Sequence, residues 1–263
     1  MIKCTLGSII TRDYFMEEWV RNLKKMKFPK KDMRLVWVVT KSIEDKILPY
    51  FNSFKKGFQE AEMVLSPFKV YDHVVEAQSK EGFQRKRWGV SLNFNILYQY
   101  RKGDLFIIED DVFPPFYAYT KLSSLARFNL VGAASGISYN WKFGKEDTPL
   151  AWFFIKRRVL PWEVIEEIKK KVAAFDFFDY DLRVLNPGGV GVEEVHASST
   201  GCVYVNERCL KDYYATPEGD LRVGQDINLG WHITHELMLR YLLDHGVLCG
   251  HKHVDECGNV KGV

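Results

Sequence analysis

The sequence predicts an α/β protein in which a mostly parallel central sheet is flanked by helices. In the first half of the chain, short apolar runs of strand length alternate with longer segments whose apolar residues recur at helical spacing. Such alternation is typical of βαβ units, which build parallel sheets. No internal repeat or low-complexity linker divides the 263 residues, so we expect one domain, 1–263.

The same patterns predict the individual elements in chain order. Strands are expected at 3–10, 35–40, 62–65, 105–108, 130–137, 192–195, 202–205 and 247–249. Helices are expected at 13–27, from 43 onward, and at 85–100, 116–128, 161–174, near 207 and at 226–243. The Asn-Pro-Gly-Gly run at 186–189 is typical of a loop.

Composition excludes several classes of protein. The 37 basic and 34 acidic side chains leave a net charge of +3, which argues against a dedicated nucleic-acid binder. Five cysteines, an odd number, indicate reduced thiols in a cytoplasmic setting. The N-terminus has no signal-peptide pattern, and no apolar run reaches the roughly 18–20 residues of a membrane span. We therefore expect a soluble protein.

Three consecutive carboxylates, Glu109, Asp110 and Asp111, follow the predicted strand at 105–108. Because ligands of parallel sheets bind beyond the carboxyl ends of the strands, the triplet lies where a site is expected. A hard divalent cation such as Mg²⁺ or Mn²⁺ would offset the repulsion among these carboxylates and favour phosphate oxygens as further ligands. A solvated acidic turn is the alternative interpretation.

The segment 103–114, GDLFIIEDDVFP, resembles the acidic-motif strand of GT-A glycosyltransferases, especially family 2-like members. The resemblance implies that Asp111 binds the metal directly and that Glu109, which replaces the usual Asp, assists it, with Asp110 beside the donor. It also implies donor contacts from Asn95 on the preceding helix and from Arg87, with Arg85 and Lys86 nearby. A solvated basic turn is equally compatible with these last three residues.

The resemblance resumes in the second half of the chain. The segment 192–205 is similar to the family's small-residue turn and acceptor-side strand, and Gly224-Gln225-Asp226-Ile227 is similar to its Glu-Asp motif at a helix start. It implies that Asp226 is the catalytic base of an inverting reaction, although an Asp there is also a good N-cap. His251 matches the histidine that completes the metal site, with His253 as the alternate.

The resemblance implies the GT-A type nucleotide-diphospho-sugar transferase fold, with a nucleotide-sugar-binding half at 1–112 and an acceptor-binding half at 113–263. It implies a UDP- or GDP-sugar donor, Mn²⁺ or Mg²⁺ as cofactor, and a glycan, lipid or protein acceptor. At the first two strand ends, Thr11, Arg12 and Thr40 would flank the base and ribose. Polar residues are common at strand ends in any case.

Three other interpretations stay open. Four potential zinc ligands lie close together near the C-terminus, which would make the protein a zinc-stapled binding module: Cys249, His251, His253 and Cys257. A nucleotidyltransferase would use a similar sheet, but 8–13 has no glycine cluster. A basic stripe would allow peripheral contact with an anionic membrane, or would simply be solvated: Arg21, Lys24, Lys25, Lys27, Lys30, Lys31 and Arg34.

Overall fold

The computed structural model places a large mixed β-sheet between two layers of helices and adds two small three-stranded sheets. It describes residues 2–68, 80–138, 151–156, 180–184, 189–215, 225–254 and 260–262. Within these, the backbone alone is described for 80–88, 152–156, 180–184, 253–254 and 260–262.

The strands and helices are as follows. The strands are β1 (Cys4–Ile10), β2 (Met33–Thr40), β3 (Glu60–Ser66), β4 (Asp104–Ile108), β5 (Val112–Phe113), β6 (Val131–Ile137), β7 (Ala151–Lys156), β8 (Tyr180–Val184), β9 (Val192–Val195), β10 (Ala197–Ser198), β11 (Cys202–Val205), β12 (Arg240–Leu248), β13 (Gly250–Val254) and β14 (Val260–Gly262). The α-helices are α1 (Met16–Lys25), α2 (Glu44–Phe54), α3 (Lys80–Tyr100), α4 (Ala118–Ala126) and α5 (Gln225–Trp231). Short 3₁₀ turns occupy Lys30–Asp32, Lys41–Ile43 and Glu207–Cys209.

The main sheet has eight strands in the order β3-β2-β1-β4-β11-β6-β12-β9. The first four strands pair in parallel, and β11 is antiparallel to both of its neighbours. β12 runs parallel to β6, and β9 is antiparallel to β12. The carboxyl ends of β1, β2, β3 and β4 therefore lie at one edge, which we call the upper edge. Strands from both halves of the chain enter this one sheet.

Each face of the sheet is covered by its own apolar core. On one face, Trp19 of α1 and Phe54 of α2 pack against Trp37 of β2, whose ring stacks on Phe54 at 5.9 Å. On the other face, Leu97 of α3 and Leu229 of α5 lie in a second buried cluster. Because both faces are covered, β1 and β2 are buried along their whole length, as the continuous apolar run at 35–39 predicts for β2.

Most of the predicted elements between residues 3 and 137 are confirmed within a few residues. The turn from α3 into β4 depends on Gly103, which has a φ of +67°. A Cβ at this position would lie 2.4 Å from the carbonyl oxygen of Lys3, so only glycine fits. This close approach accompanies the pairing of β4 with β1, in which Asp104 lies opposite Cys4. The acidic triplet follows at the end of β4.

The predicted helix at 226–243 is confirmed in its first part and is wrong from residue 237 onward. α5 ends at Trp231, a π-helical turn continues it over His232–Glu236, and β12 begins at Arg240. The helix terminates where Met238 adopts a φ of 53°. The apolar residues that follow are buried between β6 and β9, and a short apolar run of this kind does not distinguish a buried strand from a helix.

Some predictions lie outside the described residues, namely the helix at 161–174 and the loop up to residue 188. In the part of the chain that is described, no helix is long and apolar enough to cross a membrane.

Candidate functional site

Asp110 joins the ends of two neighbouring parallel strands at the upper edge. Its Oδ2 accepts hydrogen bonds from the backbone N–H groups of Thr11 at 2.8 Å and Arg12 at 3.1 Å, directly after β1. Its Oδ1 accepts a hydrogen bond from the Arg12 guanidinium at 2.6 Å. The structure thus brings together three predicted donor-contacting residues, but here Thr11 and Arg12 contact Asp110 itself.

Asp111 lies between a guanidinium and an imidazole. Its Oδ2 is 2.7 Å from Arg12 Nη2 and 3.4 Å from His251 Nε2. Burial favours a higher pKa for Asp111, but the Arg12 charge and the His251 hydrogen bond outweigh it and hold the pKa well below its ordinary value. Asp111 is therefore ionised, and within the described part of the chain its buried Oδ1 has no hydrogen-bond partner.

His251 reaches Asp111 because β13 pairs with β5, the short strand after the triplet. His251 lies opposite Val112 in this antiparallel pair, and the backbone N–H of Lys252 donates to the carbonyl oxygen of Asp111 at 2.9 Å. The backbone pairing therefore fixes the imidazole beside the carboxylate. The predicted juxtaposition of Asp111 and His251 is present in the structure.

Glu109 connects the triplet to the second half of the chain. Its Oε1 accepts a hydrogen bond from the Thr200 hydroxyl at 2.6 Å, and the same Thr200 oxygen accepts one from Gln225 Nε2 at 3.2 Å. Gly201 supports this arrangement by accepting a hydrogen bond from the Glu109 backbone N–H. The sequence does not predict this role of Thr200; the signal that points toward it is the run of small residues at 198–201, ahead of β11.

Asp226 follows Gln225 in the first turn of α5, so the Thr200 connection places it near the triplet. Its Oδ1 accepts a hydrogen bond from the Ile227 backbone N–H at 2.9 Å. Asp226 also lies close to a buried phenol: burial raises the pKa of Tyr213, and the charges of Glu236 and Asp226 add to the effect. The helix start that carries the predicted base thus borders the same upper-edge region as the acidic triplet.

The other predicted donor contacts lie in different surroundings. Asn95 is buried on α3, and its amide makes two hydrogen bonds with the backbone of Ala215, at 2.9 and 2.8 Å. Both polar groups of the Asn95 side chain are thus engaged in holding that segment. Thr40 is buried at the end of β2, and no residue that the structure describes forms a hydrogen bond with its hydroxyl. The side chains of Arg85, Lys86 and Arg87 lie outside the described part of α3.

The residues around the triplet fit a hard divalent cation by their donor chemistry. Asp111 offers an ionised carboxylate with one buried oxygen that no described residue hydrogen-bonds, and His251 offers a ring nitrogen beside it. Among the described residues, no three Cys, His, Asp or Glu side chains are gathered into a complete metal site. A cation would therefore take its remaining ligands from phosphate oxygens or water, as Mg²⁺ does in nucleotide sites.

The zinc hypothesis is not tested as a whole, since Cys257 and the His253 side chain lie outside what the structure describes. The two remaining members have different environments. Cys249 is buried in the first core cluster, where its Sγ donates to the Val247 carbonyl oxygen. His251 contacts Asp111 instead.

Glu109 gives the site a characteristic pH dependence. Burial and the neighbouring Asp111 charge raise the pKa of Glu109 from 4.5 to about 7, although the Thr200 hydrogen bond opposes the shift. Because the pKa is higher in the folded chain, proton binding stabilises the fold fully below pH 4.5, and this stabilisation is lost as the pH rises through about 7. The parent chain should therefore be less stable at about pH 8 than at pH 4.5 on account of this group.

We predict that Glu109→Gln, which mimics the protonated acid, removes this loss. The free energy of unfolding is measured by urea denaturation with a chelator present. The free energy of Glu109→Gln minus that of the parent should be larger at about pH 8 than at pH 4.5 by on the order of 1–3 kcal/mol. Glu17→Gln, at a carboxylate that is 82% exposed, serves as the control and should show no such change. An equal difference between Glu109→Gln and parent at both pH values would contradict the interpretation.

No protein-family profile and no curated protein matches the sequence at a significant level. Similarity appears among solved structures. The mannosyltransferase PcManGT from Pyrobaculum calidifontis, solved with GDP-Man and Mn²⁺, superposes with a TM-score of 0.57 at 11% identity, covering 94% of this chain and 56% of its own. Residues 1–349 of TarS from S. aureus give a TM-score of 0.52 at 11% identity, covering 92% of this chain and 58% of their own.

A third structure, GalNAc-T7 with UDP, GalNAc and Mn²⁺, gives a TM-score of 0.57 at 10% identity, covering 95% of this chain and 44% of its own. The chain thus spans about half of the length of these three structures. At such low identity the superpositions establish the architecture rather than the activity. The protein has the GT-A glycosyltransferase fold.

Proposed function

We propose that this protein transfers a sugar from a nucleoside-diphosphate donor to an acceptor hydroxyl, using a divalent metal ion bound at Asp111. The observation that carries the proposal is the contact between Asp111 and His251, which come from distant parts of the chain and meet at the upper edge. This pair has the chemistry that a metal–diphosphate site requires, and it lies where α/β sheets bind ligands.

The donor class is supported by the proteins that share the fold. PcManGT was solved with GDP-Man, TarS with UDP-GlcNAc, and GalNAc-T7 with UDP and GalNAc. Two of these three structures also contain Mn²⁺. For this chain we therefore propose a UDP- or GDP-sugar as donor and Mn²⁺ or Mg²⁺ as cofactor.

Asp111 and His251 would hold the metal, and Glu109 would assist through water. The bound ion would supply Lewis-acid stabilisation of the negative charge that develops on the leaving diphosphate. Arg12 holds the two carboxylates in place, because its guanidinium contacts both Asp110 and Asp111, while Asp111 Oδ1 has no hydrogen-bond partner among the described residues. The carboxylates are thereby fixed before donor and metal bind.

Asp226 is proposed as the base that takes the proton from the acceptor hydroxyl, which gives inversion at the anomeric carbon. Two contacts support it: Gln225 donates to Thr200, and Thr200 donates to Glu109, so the start of α5 is tied to the acidic triplet. In this proposal residues 1–112 bind the donor and residues 113–263 bind the acceptor, which is a glycan, a lipid or a protein.

We predict that Asp111→Asn abolishes Mn²⁺-dependent binding of the nucleoside diphosphate while the fold persists. Loss of an outer-shell partner alone costs about 10- to 100-fold in metal affinity, so loss of the ligand itself should cost at least as much. Titration calorimetry with UDP and GDP, with and without Mn²⁺, measures this. Asp45→Asn, at an exposed carboxylate of α2, is the matched control and should bind like the parent.

His251→Ala in the same titration should weaken Mn²⁺ and diphosphate binding together. Equal Mn²⁺-dependent binding by Asp111→Asn and the parent would contradict the metal assignment. So would stoichiometric zinc in the untreated protein that is lost from Cys257→Ser, because soft thiolates favour zinc over Mn²⁺ or Mg²⁺.

For the base, we predict that Asp226→Asn slows nucleoside-diphosphate release from the preferred donor by roughly two to four orders of magnitude. Donor affinity should change little, because the metal site stays whole. If Asp226 only capped α5, Asn would cap nearly as well and activity would survive. Full activity in Asp226→Asn would therefore contradict the role, whereas loss of activity together with loss of donor binding would point to a structural effect.

A further inference from the structure

A lysine-rich surface lies at the end of α1 and in the segment that follows it. Lys24, Lys25, Lys27 and Lys31 are exposed, and in the described part of the chain no carboxylate forms an ion pair with any of them. The whole chain carries a net charge of only +3. Four unpaired ammonium groups within eight positions are therefore a local concentration of positive charge.

Two exposed aromatic side chains lie next to these lysines. Phe116 is 51% exposed and Tyr117 is 37% exposed. The Lys27 ammonium lies 5.7 Å from the centre of the Phe116 ring, and the Lys27 backbone N–H donates to the Phe116 carbonyl oxygen at 3.3 Å. The aromatic pair and the lysines thus form one continuous surface.

The same surface extends along the outer face of α4. Lys121 is exposed one turn after Tyr117; its ammonium lies 6.0 Å from the Tyr117 ring centre and also forms an ion pair with Asp244 at 3.4 Å. Arg127 and Phe128 follow at the end of the helix, and Phe128 is 63% exposed. The partly buried Phe28 packs against the buried Tyr119 of α4, and their ring centres lie 5.8 Å apart.

Not every basic residue of the predicted stripe belongs to this surface. Arg34 is mostly buried and forms ion pairs with Glu60 and Glu62. Lys30 points inward, with its ammonium 4.8 Å from the Phe54 ring centre. Arg21 lies 3.8 Å from Glu17. These three residues therefore do not belong to the exposed basic surface, which instead includes the neighbouring aromatic side chains.

We propose that this surface docks the protein onto an anionic lipid membrane. Lysine ammonium groups attract anionic lipid headgroups. Large aromatic side chains next to such lysines insert into the interface between the headgroups and the acyl chains. The geometry disfavours single-stranded nucleic acid, which needs an open ring face for base stacking. Here one face of Phe116 is approached by Lys27, and the Tyr117 ring packs edge-on against Phe116 at 5.2 Å.

The docking surface is independent of the proposed glycosyl transfer. It lies on the outer side of α1 and α4, whereas the donor site lies at the upper edge of the sheet. Membrane binding can therefore be measured without donor, metal or acceptor, and its failure would leave the proposed activity untouched.

The test is co-sedimentation of the full chain with vesicles of phosphatidylcholine containing about one third phosphatidylglycerol, against vesicles of phosphatidylcholine alone. We expect binding to the anionic vesicles only. The triple variant Lys24→Gln, Lys27→Gln, Lys31→Gln should weaken it on the order of 100-fold, and Phe116→Ser about tenfold.

Matched controls alter other exposed positions. The triple variant Lys41→Gln, Lys55→Gln, Lys56→Gln changes the net charge equally, and Met238→Ser removes an apolar side chain that is 77% exposed. Both controls should bind like the parent. Thermal melts of all variants identify any that fail to fold.

Absence of binding to the anionic vesicles would overturn the proposal, and so would binding that both triple variants weaken equally. Binding to a single-stranded oligonucleotide, lost in the Lys24 triple variant while vesicles are ignored, would reassign the surface to nucleic acid.

Discussion

Three consecutive carboxylates at the end of a buried strand repel one another, and the arrangement around Asp110 is what makes them compatible with a folded chain. Two backbone N–H groups and a guanidinium bind Asp110, and the same guanidinium reaches Asp111. Because all three donors come from Thr11 and Arg12, the end of β1 is fixed to the end of β4. A charged hydrogen bond of this kind contributes more than a neutral one, and removal of Arg12 would leave the buried Asp110 carboxylate without this positive charge.

The two acids beside Asp110 connect it to the other parts of the site. Glu109, on one side of it, bonds to Thr200 and through Thr200 to the start of α5, so the second half of the chain contributes Asp226. Asp111, on the other side, meets His251 because β5 and β13 pair. Each acid of the triplet thus has its own partner. This division explains why two acids only two positions apart have opposite pKa shifts: burial raises the pKa of Glu109, whereas the cationic neighbours of Asp111 lower its pKa.

The alternating first half and the triplet could be predicted because their signals are local: apolar runs of strand length, and polar residues directly after them. Three features escaped prediction. The apolar run at 237–243 predicts a helix, because nothing in the run itself reveals that β6 and β9 lie on its two sides. Asn95 matched a donor-binding position, yet its amide is engaged by Ala215, which lies distant in sequence. Thr200 connects Glu109 and Gln225 through side-chain contacts that no sequence spacing encodes.

We propose that the upper edge binds a nucleoside diphosphate through a divalent metal. The thermal stability of the parent chain, measured with and without ligands, shows directly whether it does. UDP, GDP and CDP would each be added with Mn²⁺ and, separately, with a chelator. A ligand at about 100 times its Kd stabilises the native state by roughly 2.7 kcal/mol. For a chain of this size, we expect at least one nucleotide to raise the Tm by roughly 5–10 °C with Mn²⁺ and not with the chelator. A Tm that no nucleotide raises, or a rise that persists unchanged in the chelator, would contradict it.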